Sequence, residues 1–250
     1  MTRPGSLFIQ LIDNTDHLWI SDVVFDDNGE DIATAVSVVL GAGEQVSNSL
    51  IERCSFFMPE DAGLNLSGDI SLTIRNCVFP DMFRGVYLND IDDMSPVLSI
   101  YNSTFLGSSS TGIWIAGGGD PTDLTVRNSI FDNDTGINDL SGEGTDPDVD
   151  YCVFNCSSDD ITDDNGAGIG SNSLTATDPE LTSVYRLKKG SPCVDAGDNS
   201  VVSAGDTDIL GNPRIFGGTV DIGAVERGLR LPLSGRWHRR FILPYWLWQN

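Results

Sequence analysis

One spacing recurs six times along the chain: a β-branched residue standing five positions before a phenylalanine. Ile20, Ile51, Ile74, Ile100, Val126 and Val149 precede Phe25, Phe56, Phe79, Phe105, Phe131 and Phe154. Successive phenylalanines are 31, 23, 26, 26 and 23 residues apart. After each of the first five comes a second alternating segment, usually opened by glycine: AVSVV from 35, GLNLS from 63, GVYLN from 85, GIWIA from 112 and GIN from 136. Units this short cannot bury an apolar face alone, so they must stack on their neighbours.

Other repeat architectures do not fit. No segment sustains a 3.6-residue apolar period, and Gly, Ser and β-branched residues stand where helices would need Ala, Leu, Glu and Lys. A leucine-rich repeat needs Leu spaced around an Asn with helical returns, and a propeller blade needs ~40–45 residues. A coil of at least two short strands, with Phe and Ile stacked on themselves, resembles the right-handed parallel β-helix. The expected fold is therefore an all-β solenoid with coils of about 23–31 residues over positions 1–177.

Two further columns follow from the alignment. Three positions before Phe stand Asn76, Asn102 and Asn128 on consecutive coils, flanked by Asp22, Arg53 and Tyr151. They read either as a ladder of amides bonded along the axis or as turn residues tolerant of a left-handed backbone. One position later come Cys54, Cys77, Ser103, Ser129 and Cys152. Small size is their common property, so these thiols are expected to fill the stack rather than react or bind metal. The five cysteines form no CxxC pair and no dense disulfide framework; Cys54 and Cys77 fall on adjacent coils, where a disulfide is conceivable but not needed.

Beyond Cys156 the rhythm fades. Residues 178–226 contain, in order, Asp178-Pro179, Tyr185-Arg186-Leu187, Gly190-Ser191-Pro192, Asp195-Ala196-Gly197-Asp198, Gly211-Asn212-Pro213-Arg214 and Val220-Asp221-Ile222-Gly223-Ala224-Val225-Glu226. This order resembles the choice-of-anchor Q module of bacterial surface β-helix proteins, also seen near repeats of polymorphic outer-membrane type. It departs at Cys193, where an apolar residue is usual, and at Ile209-Leu210-Gly211. The resemblance implies an exported protein at the cell surface. Physically, residues 178–226 are expected to cap the coil continuously, because a stack ends in open strand edges. Arg214 is expected to pair with Asp195 or Asp221.

The 37 acidic against 14 basic residues give a formal charge of −23. Residues 1–226 alone carry −28, offset by residues 227–250, a basic tail with five Arg, no acid and three Trp. Such acidity excludes a nucleic-acid binder, since no basic stripe exists to displace counterions from phosphates. The apolar run at 241–248 is far short of the ~20 residues a membrane span needs, so no span is expected. The run at 7–12 is too short for a signal-peptide core, and reads as a strand of a chain truncated from a longer exported protein, or of a cytoplasmic one.

Ligands would meet outward positions. In the Gly-opened strands the middle residues include Asn65, Tyr87, Trp114 and Asn138, two rings flanked by amides, a pattern suited to stacking and hydrogen bonding a sugar chain. A second stripe follows the Ile/Val column: Glu52, Arg75, Tyr101, Arg127 and Asp150, in which Glu52–Arg75 and Arg127–Asp150 are expected to pair across coils. Arg75 or Arg127 as a base, with Asp132 and Asp134 on calcium, would suit a pectate-lyase-like polysaccharide lyase, and paired carboxylates a glycoside hydrolase. The Asp clusters match no calcium loop, so no metal site or cofactor is expected beyond weak calcium capture. The sequence favours a monomeric, extracellular or cell-surface β-helix that is structural, adhesive or glycan-binding without catalysis; the alternative is a polysaccharide-active enzyme on the same outer face.

Overall fold

The computed structural model describes residues 7–11, 17–26, 34–41, 44–57, 61–89, 96–116, 123–139, 147–163 and 168–228. The tail at 229–250 and the acidic run at 27–31 lie outside them. Among the described residues every element apart from one 3-10 turn, Asn199–Val201, is a strand, and the coil strands pair in parallel. The chain is a right-handed parallel β-helix.

Each coil has three faces where the sequence reading required at least two. The first is a six-stranded sheet of Trp19–Ser21, Gln45–Glu52, Asp69–Arg75, Val97–Tyr101, Asp123–Arg127 and Asp148–Asp150. Its register places Ile20, Ile51, Ile74, Ile100, Val126 and Val149 directly above one another. The second face carries the Phe column and the third the Gly-opened strands. They merge into one sheet because Thr104–Ile115 and Ile130–Asp139 run across both.

Between the first two faces the chain turns on one residue per coil. Asp22, Arg53, Asn76, Asn102, Asn128 and Tyr151 all have φ between 49° and 59°. The turn reading holds on all six coils and the ladder reading at one rung only, since Asn76 Oδ1 is buried without a hydrogen-bond partner. The backbone is left-handed, which Asn tolerates best among non-glycine residues, and Asn128 Nδ2 donates to Asn102 Oδ1 at 3.1 Å. The small residue one position on closes the turn: the Ser103 and Ser129 hydroxyls donate to Tyr101 O and Arg127 O at 3.0 Å, and the Cys54, Cys77 and Cys152 thiols make the equivalent 3.3 Å contacts. All five cysteines are free thiols.

The core is a stack of rings. From Phe25 to Phe154 consecutive rings lie 4.6–4.9 Å apart and within 10° of parallel. Against them pack the glycines that open the third face. A Cβ on Gly112 would stand 2.6 Å from Gly136 O and 2.7 Å from the Phe131 ring, and Gly63, Gly85 and Gly136 are equally crowded. These glycines exist for close approach, not for backbone freedom.

The last ring is covered by residues 168–177, which begin a further turn: Leu174 N donates to Cys152 O, and Phe154 N to Leu174 O, each at 2.8 Å. Residues 178–226 then fold back along the coil's flank. Ile130 and Val153, which point out from the second face, are buried against Leu187, Cys193 and Ile222. Asp198 N donates to Asn128 Oδ1, Ala224 N to Thr104 Oγ1 and Arg75 to Asp206, contacts with three successive coils.

Candidate functional site

Alternation along the third face sets its outward residues. Val36, Leu64, Val86, Ile113 and Ile137 are fully buried in one column. The next residue of each strand therefore points out, and the register aligns Ser37, Asn65, Tyr87, Trp114 and Asn138. The four sequence candidates on this face are thus brought into one line.

The two rings are not an open platform. Tyr87 and Trp114 are half-buried, with centroids 6.4 Å apart and planes at 78°. The guanidinium of Arg84 lies 4.1 Å from the Tyr87 centroid, 4.6 Å from Trp114 and 4.8 Å from Phe83. Arg84 Nη1 also bonds Asp61 Oδ1 at 3.0 Å. The three rings form a cage already filled by the protein's own cation. Phe83 remains 45% exposed beside it, and the Tyr87 hydroxyl donates to Asn89 Oδ1 at 3.0 Å. Asn65 Oδ1, Asn138 Oδ1 and Arg84 Nε are buried without a hydrogen-bond partner. Such atoms cost ~1–3 kcal/mol each, a cost that a ligand or solvent reaching them would relieve.

Sequence reasoning missed Arg84, Phe83 and Asp61. A signal existed: Arg84 is the one cation in the column of Thr34, Ala62, Thr111, Thr135 and Asp159. A lone cation among small residues, three positions before Tyr87 on the same strand, marks the place.

The stripe on the first face is a set of ion pairs. Glu52, 3% exposed, bonds both Arg53 and Arg75 at 2.9 Å, and Arg75 reaches Asp206 at 3.2 Å. The expected Glu52–Arg75 pair is present. Arg127, by contrast, bonds Asp148 Oδ2 at 2.6 Å, while Asp150 accepts from Asn172 N and Nδ2 at 2.9 and 2.8 Å. Both aspartates lie on the next coil, but the Asp148 carboxylate is open to the long Arg127 side chain, whereas the turn at 171–172 closes on Asp150. Tyr101 stands in register between the two arginines. Asp132 accepts from Asn155, and the Ser157 and Ser158 hydroxyls hold the Asp134 carboxyl below its ordinary range. Among the described residues no group of three metal-ligating side chains assembles.

A third charged cluster joins the end module to the coil. Arg214, 1% exposed, donates from Nη2 to Asn102 Oδ1 at 3.0 Å and to the carbonyl of Asp221 at 2.8 Å, with Glu226 at 4.0 Å. It thus meets the backbone of Asp221, not the carboxylate. Asp208, Asp221 and Glu226 are all buried around it. Desolvation raises all three carboxyls, Glu226 to about 7, and lowers Arg214.

Residues 9–131 match the family model described as right handed beta helix region. The match ends at Phe131, so the later coils and residues 178–226 lie beyond it. No curated protein and no solved structure matches the chain. No helix among the described residues of this β-helix is long and apolar enough to cross a membrane.

Proposed function

We propose that this β-helix is an exported, surface-associated protein whose third face binds glycan chains without cleaving them. One observation carries the reading: Phe83, Tyr87 and Trp114 cluster on adjacent coils, flanked in register by Asn65 and Asn138 whose buried Oδ1 atoms lack partners. Rings supply apolar area for the C–H face of a sugar, and amide oxygens accept from its hydroxyls. The first face supports catalysis less well, because Arg75 and Arg127 are both held by carboxylates and would have to leave them to act as bases. Export follows from the resemblance of residues 178–226 to surface-protein modules, and weak calcium capture by the loop aspartates belongs to the same proposal.

A glycan array probed with the wild type and with Trp114→Ala tests it. The reading predicts binding to a subset of glycans and a loss of roughly tenfold or more in the variant. No binding by the wild type, or equal binding by both, would sink it. An assay for new reducing or unsaturated ends, with and without calcium, should show no product.

A further inference from the structure

We infer that Asp61 sets the ligand class of the Tyr87–Trp114 face by neutralising Arg84, so that the site takes uncharged polysaccharides and rejects uronate-rich ones. The inference rests on the glycan-binding reading and specifies its substrate. Arg84 is the one Lys or Arg among the described residues of the third-face strands. An acidic polymer on this face would need that charge. Arg84 is doubly withdrawn: its Nη1 is paired with Asp61 at 3.0 Å, and three ring faces surround its guanidinium carbon within 4.8 Å. Its side chain is only 18% exposed, against 39% for Asp61, so an approaching ligand meets the carboxylate before the cation.

The surroundings act in the same direction. Asp159 continues the Arg84 column beyond Thr135. Asp81 lies on the turn leading into the Arg84 strand, and Asp132 and Asp134 on the strand that carries Asn138. With a formal −23 on the whole chain, a polyanion gains no steering and meets repulsion at close range. A neutral chain pays neither penalty, and uses the exposed side of Phe83 and the outer edges of Tyr87 and Trp114, in line with the half-buried amides of Asn65 and Asn138, whose oxygens lack a partner. Arg84 itself is a positioning residue, holding the three rings around one centre.

Affinity electrophoresis of the full chain decides the matter, in gels containing a neutral glucan or mannan, or polygalacturonate or alginate, with calcium or chelator, at low and high salt. The variants are Asp61→Asn, Phe83→Ala and Trp114→Ala, each checked for an unchanged thermal transition. The wild type should be retarded by a neutral polymer, independently of salt and calcium, and not by the anionic ones. Asp61→Asn should gain salt-sensitive retardation by anionic polymers, because it uncovers the Arg84 charge while keeping the side-chain shape. Phe83→Ala, which alters the most exposed ring, should weaken neutral binding if Trp114→Ala proves unstable. Retardation of the wild type by anionic polymers, alone or alongside neutral ones, would overturn the assignment of class and leave glycan binding standing. An Asp61→Asn variant that gains nothing would overturn the role of Asp61. No retardation by any polymer would remove the site along with its specificity.

Discussion

A single hydrogen-to-methyl change reads out how tightly this coil is wound. At Gly112 a Cβ meets both the next coil's carbonyl and the Phe131 ring inside 3 Å. Gly112→Ala should therefore cost ~1–3 kcal/mol by overpacking, measured as a lower midpoint in denaturant. Gly168→Ala, where a Cβ meets nothing, should leave the midpoint almost unchanged. The cysteines offer a second test. Ser103 and Ser129 already do at their coils what Cys77 does, donating to the carbonyl two residues back. Cys77→Ser should be nearly neutral, whereas Cys77→Val should cost ~1–2 kcal/mol by forcing a branched side chain into a fully buried site, while the Arg75 carbonyl keeps its bond from Arg53 N. Burial lifts the Cys152 thiol to about 12, so it should resist alkylation in the native protein and react fully once unfolded. The columns themselves were legible, since stacking repeats one residue type at one spacing. The reason for the glycines was not, because it depends on a ring from another strand.

At the scale of the element, the end module is held by polar groups aimed at the Asn turn. Asn128 receives Asp198 N at 2.6 Å and donates to Asp198 O at 2.9 Å, as a backbone residue would. Asn128→Gly keeps the left-handed backbone and removes those bonds. Its expected effects are a loss of ~1–3 kcal/mol and earlier proteolytic cutting within 178–226 than within the coils. The buried carboxylates add a pH dependence whose sign is fixed by their direction. Glu226 moves from 4.5 when free to about 7 in the folded chain, so the native state holds more protons than the unfolded one across that interval. Stability should fall as pH rises from about 4.5 to 7, by on the order of 2–3 kcal/mol for this group, with Asp208 and Asp221 acting in the same sense. Glu226→Gln should flatten the slope. Asp134 and Asp150, shifted down, contribute stability that is lost only in stronger acid. The sequence announced residues 178–226 as a distinct, ordered block. It did not announce where the block would sit, because Asn102, Thr104 and Asn128 give no sign in one dimension that they face Arg214, Ala224 and Asp198.

For the whole molecule, composition and architecture answer different questions. Aspartates stand on the strands as well as in the turns, as at Asp132, Asp134 and Asp148, and the edge strand Asp159–Asp163 carries three in five residues. That charge discourages strand-to-strand association, the hazard of any open sheet edge. The aromatic line on the third face was visible from its register in the sequence. The cage around Arg84 was not, since Phe83 precedes the strand and Asp61 belongs to the coil before. The central claim is that this line, rather than the ion-paired stripe around the first face, meets the ligand. The most direct test is a crystal structure of the protein with an oligosaccharide chosen from the array. The account predicts sugar density across Tyr87 and Trp114, with hydroxyls bonded to Asn65 or Asn138. Density over the stripe from Glu52 to Asp150, with the third face empty, would contradict it.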